Sequence, residues 1–257
     1  MKWSITQTII EQMVILAVTA GALGMCPSVG AAEPDAQKIL LESDNSRGGG
    51  DLPGLVWEIQ THNSGTGADE QVDQSLRIKV INNASLAEIQ EPPSSKGTKI
   101  LQADRNMWLS RPGLKKPIAI SPRQRLSGQT ALGDIAATNY GRDYTATYLR
   151  EESVANEPCY VLDLTASSRS TTYDRITYWV SIKRNVAVQA EFLSLSGKVL
   201  KRAQFEYGNS ISVQGKSYPF VSKMSIFDAL SDARTDMQYK HIKTQAVPRA
   251  EFDVGNM

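Results

Sequence analysis

The sequence predicts a mainly β protein: one large antiparallel sheet, curled strongly enough to approach a partial barrel. Three observations carry this. From Tyr144 onward apolar and polar residues alternate almost without a break, the period of half-buried strands, and the runs are separated by turn chemistry at Asn156-Glu157-Pro158, Lys183-Arg184-Asn185, Ser196-Gly197-Lys198 and Gln214-Gly215-Lys216. Over the whole chain the runs number about ten or eleven, more than a flat twisted sheet holds without curling. Finally, 257 residues with 41% hydrophobic and 21% charged content can bury one sizeable core, and no repeat, low-complexity tract or boundary divides the chain.

At the amino end, Lys2 precedes an apolar run from Met13 to Cys26 that is short for a membrane span, and Gly30-Ala31-Ala32 has the small-x-small pattern of a signal-peptidase site. The expectation is a signal peptide over residues 1–32, export to the periplasm, and a single domain over 33–257. Glu11 leaves open a start at Met13, and Cys26 leaves open lipidation, against which the bulky Met25 before it speaks. With the signal removed, Cys159 is the only cysteine, so no internal disulfide or cysteine-based metal site can form, and alternation from Cys159 to Leu164 makes it a small hydrophobe in a strand.

The remaining elements follow in order. Pro34 to Ser46 reads as an amphipathic helix, stopped by Gly48-Gly49-Gly50. Leu55, Trp57 and Ile59 alternate in a strand; Leu76, Ile78 and Val80 form the next; a third runs near Ala84 to Gln90 and ends at Pro92-Pro93. Trp108 and Leu109 precede the turn Arg111-Pro112-Gly113, and Ile118 and Ile120 fold back as the other arm of a hairpin. Thr130 to Tyr140, with Leu132, Ile135 and Ala136 at helical spacing, supplies a short covering helix. Beyond Tyr144, Ile176, Tyr178, Val180 and Ile182 share a face, as do Val188, Ala190 and Phe192, then Val199, Ala203, Phe205 and Tyr207, and then Phe220, Met224 and Ile226. The opposite walls of so large a curled sheet stand apart, so helices or a ligand must fill the space between them.

Reactive constellations are not visible. The net charge of +1 gives little long-range attraction to nucleic acid. The two histidines, His62 and His241, stand alone without metal-ligand spacing, the glycine run lacks the Lys-Ser/Thr of a phosphate loop, and the carboxylates are dispersed, so neither an enzyme nor a cofactor or metal is expected. The basic group Arg111, Lys115, Lys116, Arg123 and Arg125 reads either as a solvated rim or as a contact for anionic head groups or for an acidic face of a membrane partner. Trp57, Trp108, Tyr178 and Trp179 divide between ordinary packing and the wall of an acyl-chain cavity.

The run from Asp104 to Leu109 followed by Arg111 to Ile118 resembles the Trp-x-x-x-Pro-x-Leu signature of the outer-membrane lipoprotein-sorting family, the LolA-like periplasmic carriers, here through Trp108, Pro112 and Leu114. Gly133-Asp134-Ile135, Pro158 to Leu164, Tyr178-Trp179-Val180, Phe192 to Leu200, Tyr218-Pro219 and Phe252-Asp253-Val254 follow in the order seen in a longer, less characterised branch of that family. The resemblance spans Ala36 to Val254 and departs from the short carriers in the basic insert Pro112 to Arg125 and in extra carboxy-terminal strands. It implies a half-open β-barrel of about eleven antiparallel strands with lid helices, whose interior receives acyl chains of a lipoprotein or lipid. Trp57, Ile59, Leu76, Ile78, Trp108 and Leu109 would then line the cavity from one wall, and Tyr178, Val180 and Phe192 from the other, with Leu132 and Ile135 on the lid. Transient membrane contact, and hand-over from an inner-membrane exporter of the resistance-nodulation-division type, are the partners it implies. An envelope adaptor of such an exporter, without lipid cargo, is the alternative.

Overall fold

The alternating runs pair into one antiparallel sheet of 13 strands. The computed structural model describes residues 33–49, 54–67, 72–136, 139–213 and 215–257; the expected signal segment with Cys26, the end of the glycine run, and Gln214 lie outside them. In chain order the strands are β1 (Leu55–Ser64), β2 (Ser75–Ile81), β3 (Ala84–Glu91), β4 (Lys99–Ala103), β5 (Asn106–Ser110), β6 (Ile118–Ile120), β7 (Arg125–Ser127), β8 (Thr130–Ala131), β9 (Tyr144–Val154), β10 (Glu157–Ala166), β11 (Arg175–Ser181), β12 (Ala187–Leu193), β13 (Val199–Glu206), β14 (Asn209–Val213), β15 (Lys216–Phe220), β16 (Lys223–Asp228) and β17 (Arg234–Thr244). The large sheet runs β6-β5-β4-β3-β2-β1-β17-β16-β13-β12-β11-β10-β9, while β7-β8 and β14-β15 are separate two-stranded hairpins. Its edges, β6 and β9, do not pair with each other, so the barrel is half open.

The sheet exceeds the expected eleven strands partly because β4 was not legible in the sequence. Ile100 and Leu101 are adjacent, not alternating, because both faces of β4 are covered: Ile100 packs into the main core and Leu101 under Phe252 on the outer face.

Register places the apolar side chains of successive strands in rows across the concave face, since directly opposed residues of an antiparallel pair point to the same side. One row runs Trp57, Ile78, Ala87, Ile100, Leu109. On the other wall Ile226, Ala203, Ala190, Tyr178, Leu162 and Tyr148 form its counterpart. The walls meet where β1 pairs β17, with Ile59 opposite Tyr239 and Thr61 opposite Met237.

Short helices fill the concave side. α1 (Ala36–Asp44) is capped by Asp35, whose carboxylate accepts from the Lys38 amide at 3.0 Å, and continues into a 3-10 turn, Asn45–Arg47. Gly48 ends it at φ 86°, where a Cβ would stand 2.5 Å from the Trp57 ring, so glycine is required there both for conformation and for room. The expected single helix over 130–140 is instead β8, α2 (Leu132–Ala136) and α3 (Tyr140–Asp143). On the convex side, 3-10 turns at Arg249–Phe252 and Val254–Asn256 lay Phe252 against Leu86 and Leu101.

Candidate ligand-binding interior

Nine of the expected cavity and lid residues, Trp57, Ile59, Leu76, Ile78, Leu132, Ile135, Tyr178, Val180 and Phe192, belong to one continuous buried core between the concave wall and the helices. Leu109 continues the Ile100 row toward edge strand β6 and is half-buried. Trp108 is a correction. It opposes Leu101 and packs in the outer cluster with Phe252, because consecutive residues of a strand face opposite ways and Leu109 already takes the inner side. Trp179, packed with Cys159 and Val161, is likewise on the convex face. The histidines are not alone either: His62 lies 2.9 Å from Asp73 and His241 2.9 Å from Glu58, both pairs at the surface.

The chain's own side chains occupy the concave space. Phe192 stacks on Tyr173 with ring centroids 4.1 Å apart, Trp57 meets Phe220 edge-on at 5.6 Å, and Tyr140 meets Tyr178 edge-on at 5.7 Å. Against Gly133 and Asp134 of α2 lie Thr172 and Tyr173, and a Cβ on Gly133 would fall 1.8 Å from the Thr172 hydroxyl. Such contact is close-packed, but it is not what fixes the plug laterally.

Buried polar groups do that. Arg47, only 2% exposed, donates to the Tyr178 hydroxyl at 3.0 Å and stacks over the rings of Tyr140 and Phe205 at 4.5 and 4.9 Å. Its guanidinium stays charged and ties the end of α1 to the wall and to α3. Asp44 accepts from the Gly141 amide at 2.6 Å with one carboxylate oxygen, while the other, buried, has no hydrogen-bond partner. Burial pushes its pKa up to about 7, against the pull of the Gly141 amide and Arg47. Asp134 in α2 accepts from the Tyr173 hydroxyl at 2.9 Å and from the Ala131 amide at 2.8 Å, and burial raises its pKa as well. Lys201 on β13 donates to the Gln129 carbonyl and faces the Tyr173 ring; burial lowers its pKa, with Asp134 opposing.

These groups were missed in the sequence. Arg47 after a helix and Asp134 within a short one look solvated there. For Lys201 the signal was present, since it shares the parity of Val199, Ala203 and Phe205, the inward face of its strand. Among the described residues no group of His, Cys, Asp and Glu could hold a metal ion, and the interior carboxylates are bonded to amides and a tyrosine hydroxyl, so the arrangement offers an apolar wall and a polar-anchored cover.

The basic residues lie elsewhere. Arg111, Lys115, Lys116, Arg123 and Arg125 are exposed, and Arg123 pairs with Asp174 at 2.7 Å.

A solved LolA superfamily protein from Nitrosomonas europaea is 32% identical, with a TM-score of 0.73 over 86% of this chain and 98% of that one. This chain belongs to the LolA superfamily. Residues 82–257 match a family model described only as an uncharacterized protein. The superfamily fold recurs at low identity in a DUF1329 family protein from Desulfovibrio piger (17% identical, TM-score 0.70, 84% of this chain and 95% of that one). It recurs again in a Vibrio parahaemolyticus domain named for outer membrane lipoprotein sorting (18%, TM-score 0.69, 86% and 97%). No curated protein matches the chain. The half-open barrel with helices over its concave face is the architecture that the resemblance in the sequence implied.

Proposed function

We propose that this protein is a periplasmic carrier, exported by the signal peptide at residues 1–32, that holds acyl chains of lipoproteins or lipids against its concave wall and moves them toward the outer membrane. The observation that carries the reading is the continuous apolar wall crossing an open sheet, covered not by a second sheet but by short helices held through a few buried polar contacts. Superfamily membership and a relative named for lipoprotein sorting support it.

Binding requires the cover to move, because the interior is filled. α2 is a short element to displace: five residues bringing Leu132, Ile135 and Ala136 to the core and Asp134 to Tyr173. An entering acyl chain replaces those contacts at about 0.8 kcal/mol per buried methylene, less the cost of ordering the chain and moving the helix. The net affinity is therefore moderate, as hand-over demands.

The test is native mass spectrometry with organic extraction and lipid analysis on the protein purified gently from the periplasm of its host. A stoichiometric lipid or acylated peptide is expected. An empty protein that also fails to bind a fluorescent fatty acid would overturn the carrier reading and favour the exporter adaptor.

A further inference from the structure

The antiparallel register gathers one set of loops on one rim of the sheet. Lys201 opposes Asp228, and the Ala229 amide donates to the Leu200 carbonyl at 3.2 Å, so the β12–β13 and β16–β17 turns lie side by side. Leu193 opposite Arg175 puts the β10–β11 loop next to them. Further along the same rim, Lys99 opposes Ser110, and Gly97 approaches the Pro112 ring, which joins the loops at 92–98 and 111–117.

Two features of this rim are unusual for a surface left to water. The hairpin tips carry Leu195, 82% exposed, and Leu230, 81% exposed, the two most exposed large hydrophobic residues described. Along the same rim, Lys96, Arg111, Lys115, Lys116, Arg125 and Arg169 are exposed and make no ion pair among the described residues, and the same holds for Lys198 beside Leu195. The described acids of these loops are engaged: Asp174 with Arg123, Asp73 with His62, Asp228 with amides of its own turn, and Asp232 with Thr66 of the β1–β2 loop. Between Leu195 and the β10–β11 loop lies an open cleft of about 740 Å³ whose walls carry the Arg123–Asp174 pair, Arg175, which pairs with Asp163, and the unpaired Arg169, together with Ser167 and Ser168.

We infer that this rim docks on an anionic phospholipid bilayer: Leu195 and Leu230 enter the acyl boundary, and the unpaired cations, Arg169 of the cleft among them, lie at the phosphate plane. A bare basic patch serves any polyanion, and a bare leucine serves any apolar partner. Single protruding leucines on two neighbouring tips, sharing one rim with unpaired cations, fit a surface that is apolar below a layer of negative charge. The inference goes beyond the carrier reading and holds even for a protein whose interior never opens.

The experiment is vesicle flotation of the mature protein on phosphatidylcholine vesicles with and without phosphatidylglycerol, at low and high salt. Binding is expected only with phosphatidylglycerol and to weaken with salt. The pair Leu195→Ser and Leu230→Ser, and separately Lys115→Glu with Arg169→Glu, should each weaken it at least about tenfold, each cation near such a surface contributing roughly fivefold. Circular dichroism checks folding, and fatty-acid binding in the absence of vesicles, measured on the same variants, should stay as in the parent. Loss of vesicle binding with fatty-acid binding intact thus reports on docking alone, and the reverse reports on the carrier reading alone. No binding to anionic vesicles at low salt, or binding untouched by both pairs, overturns the inference, as does binding lost on charge reversal but kept by the serine pair, the pattern of an acidic protein partner.

Discussion

The two faces of the sheet are covered in different ways. Outside, the carboxy-terminal segment lays Phe252 on Leu86 and Leu101, and Lys79 pairs with Glu251 at the half-exposed margin. Inside, the cover is short helices whose hold on the wall runs through Arg47, Asp44 and Asp134, and whose burial leaves an oxygen of Asp44 and the hydroxyl of Thr130 without partners. An unpaired buried polar atom costs roughly 1–3 kcal/mol. That cost falls on both faces, since the Trp57 indole of the concave wall and the Trp179 indole of the convex face are also buried without a partner. The difference between the covers is one of anchoring: chiefly apolar packing holds the outer one, while charged side chains tie the inner one to the wall.

Removing part of the wall should have the largest effect. Phe192→Ala, fully buried against Tyr173, is expected to cost about 3–5 kcal/mol, read as a lowered midpoint in denaturant unfolding. A smaller loss, about 1–3 kcal/mol, is expected of Gly133→Ala, which forces α2 away from Thr172 while leaving the wall intact. Stopped-flow release of a fluorescent fatty acid should quicken in that variant, and unchanged release would sever α2 from gating.

What the sequence revealed divides along the same line. Alternation exposed the wall because its strands carry an inner row of apolar residues, and it failed at Ile100-Leu101, where the outer cover buries the second face as well. It also set Trp108 beside Leu109 in one cavity, which the strand period forbids. The inner cover was least legible: Arg47, Asp134 and Lys201 are residue types that usually sit in water, and their burial depends on Tyr178, Tyr173 and Gln129, distant in the chain.

Asp44 gives a smaller, pH-dependent effect. Folded, it holds its proton more tightly than unfolded, with a pKa of about 7 against 3.8, so its contribution to stability falls as pH rises across that interval and then levels. Arg47 and Asp143 are the charges acting on it, with the Gly141 and Tyr140 amides. Thermal melts of Asp44→Asn should show this decline removed relative to the parent; parallel curves would contradict the anchor. Smallest of all, Glu251→Ala should cost at most about 1 kcal/mol and leave fatty-acid binding as it was, because its pair with Lys79 is half exposed and on the outer cover.

The tryptophans give the most direct test, since Trp57 is on the concave wall while Trp108 and Trp179 are on the convex face. Mature protein carrying Trp57 alone, through Trp108→Phe and Trp179→Phe, is titrated with a fatty acid brominated along its chain, beside a second protein that keeps only Trp108. The account predicts saturable quenching of Trp57 and none of Trp108. Quenching of Trp108 with Trp57 unaffected would put the acyl chain on the outer face and contradict it.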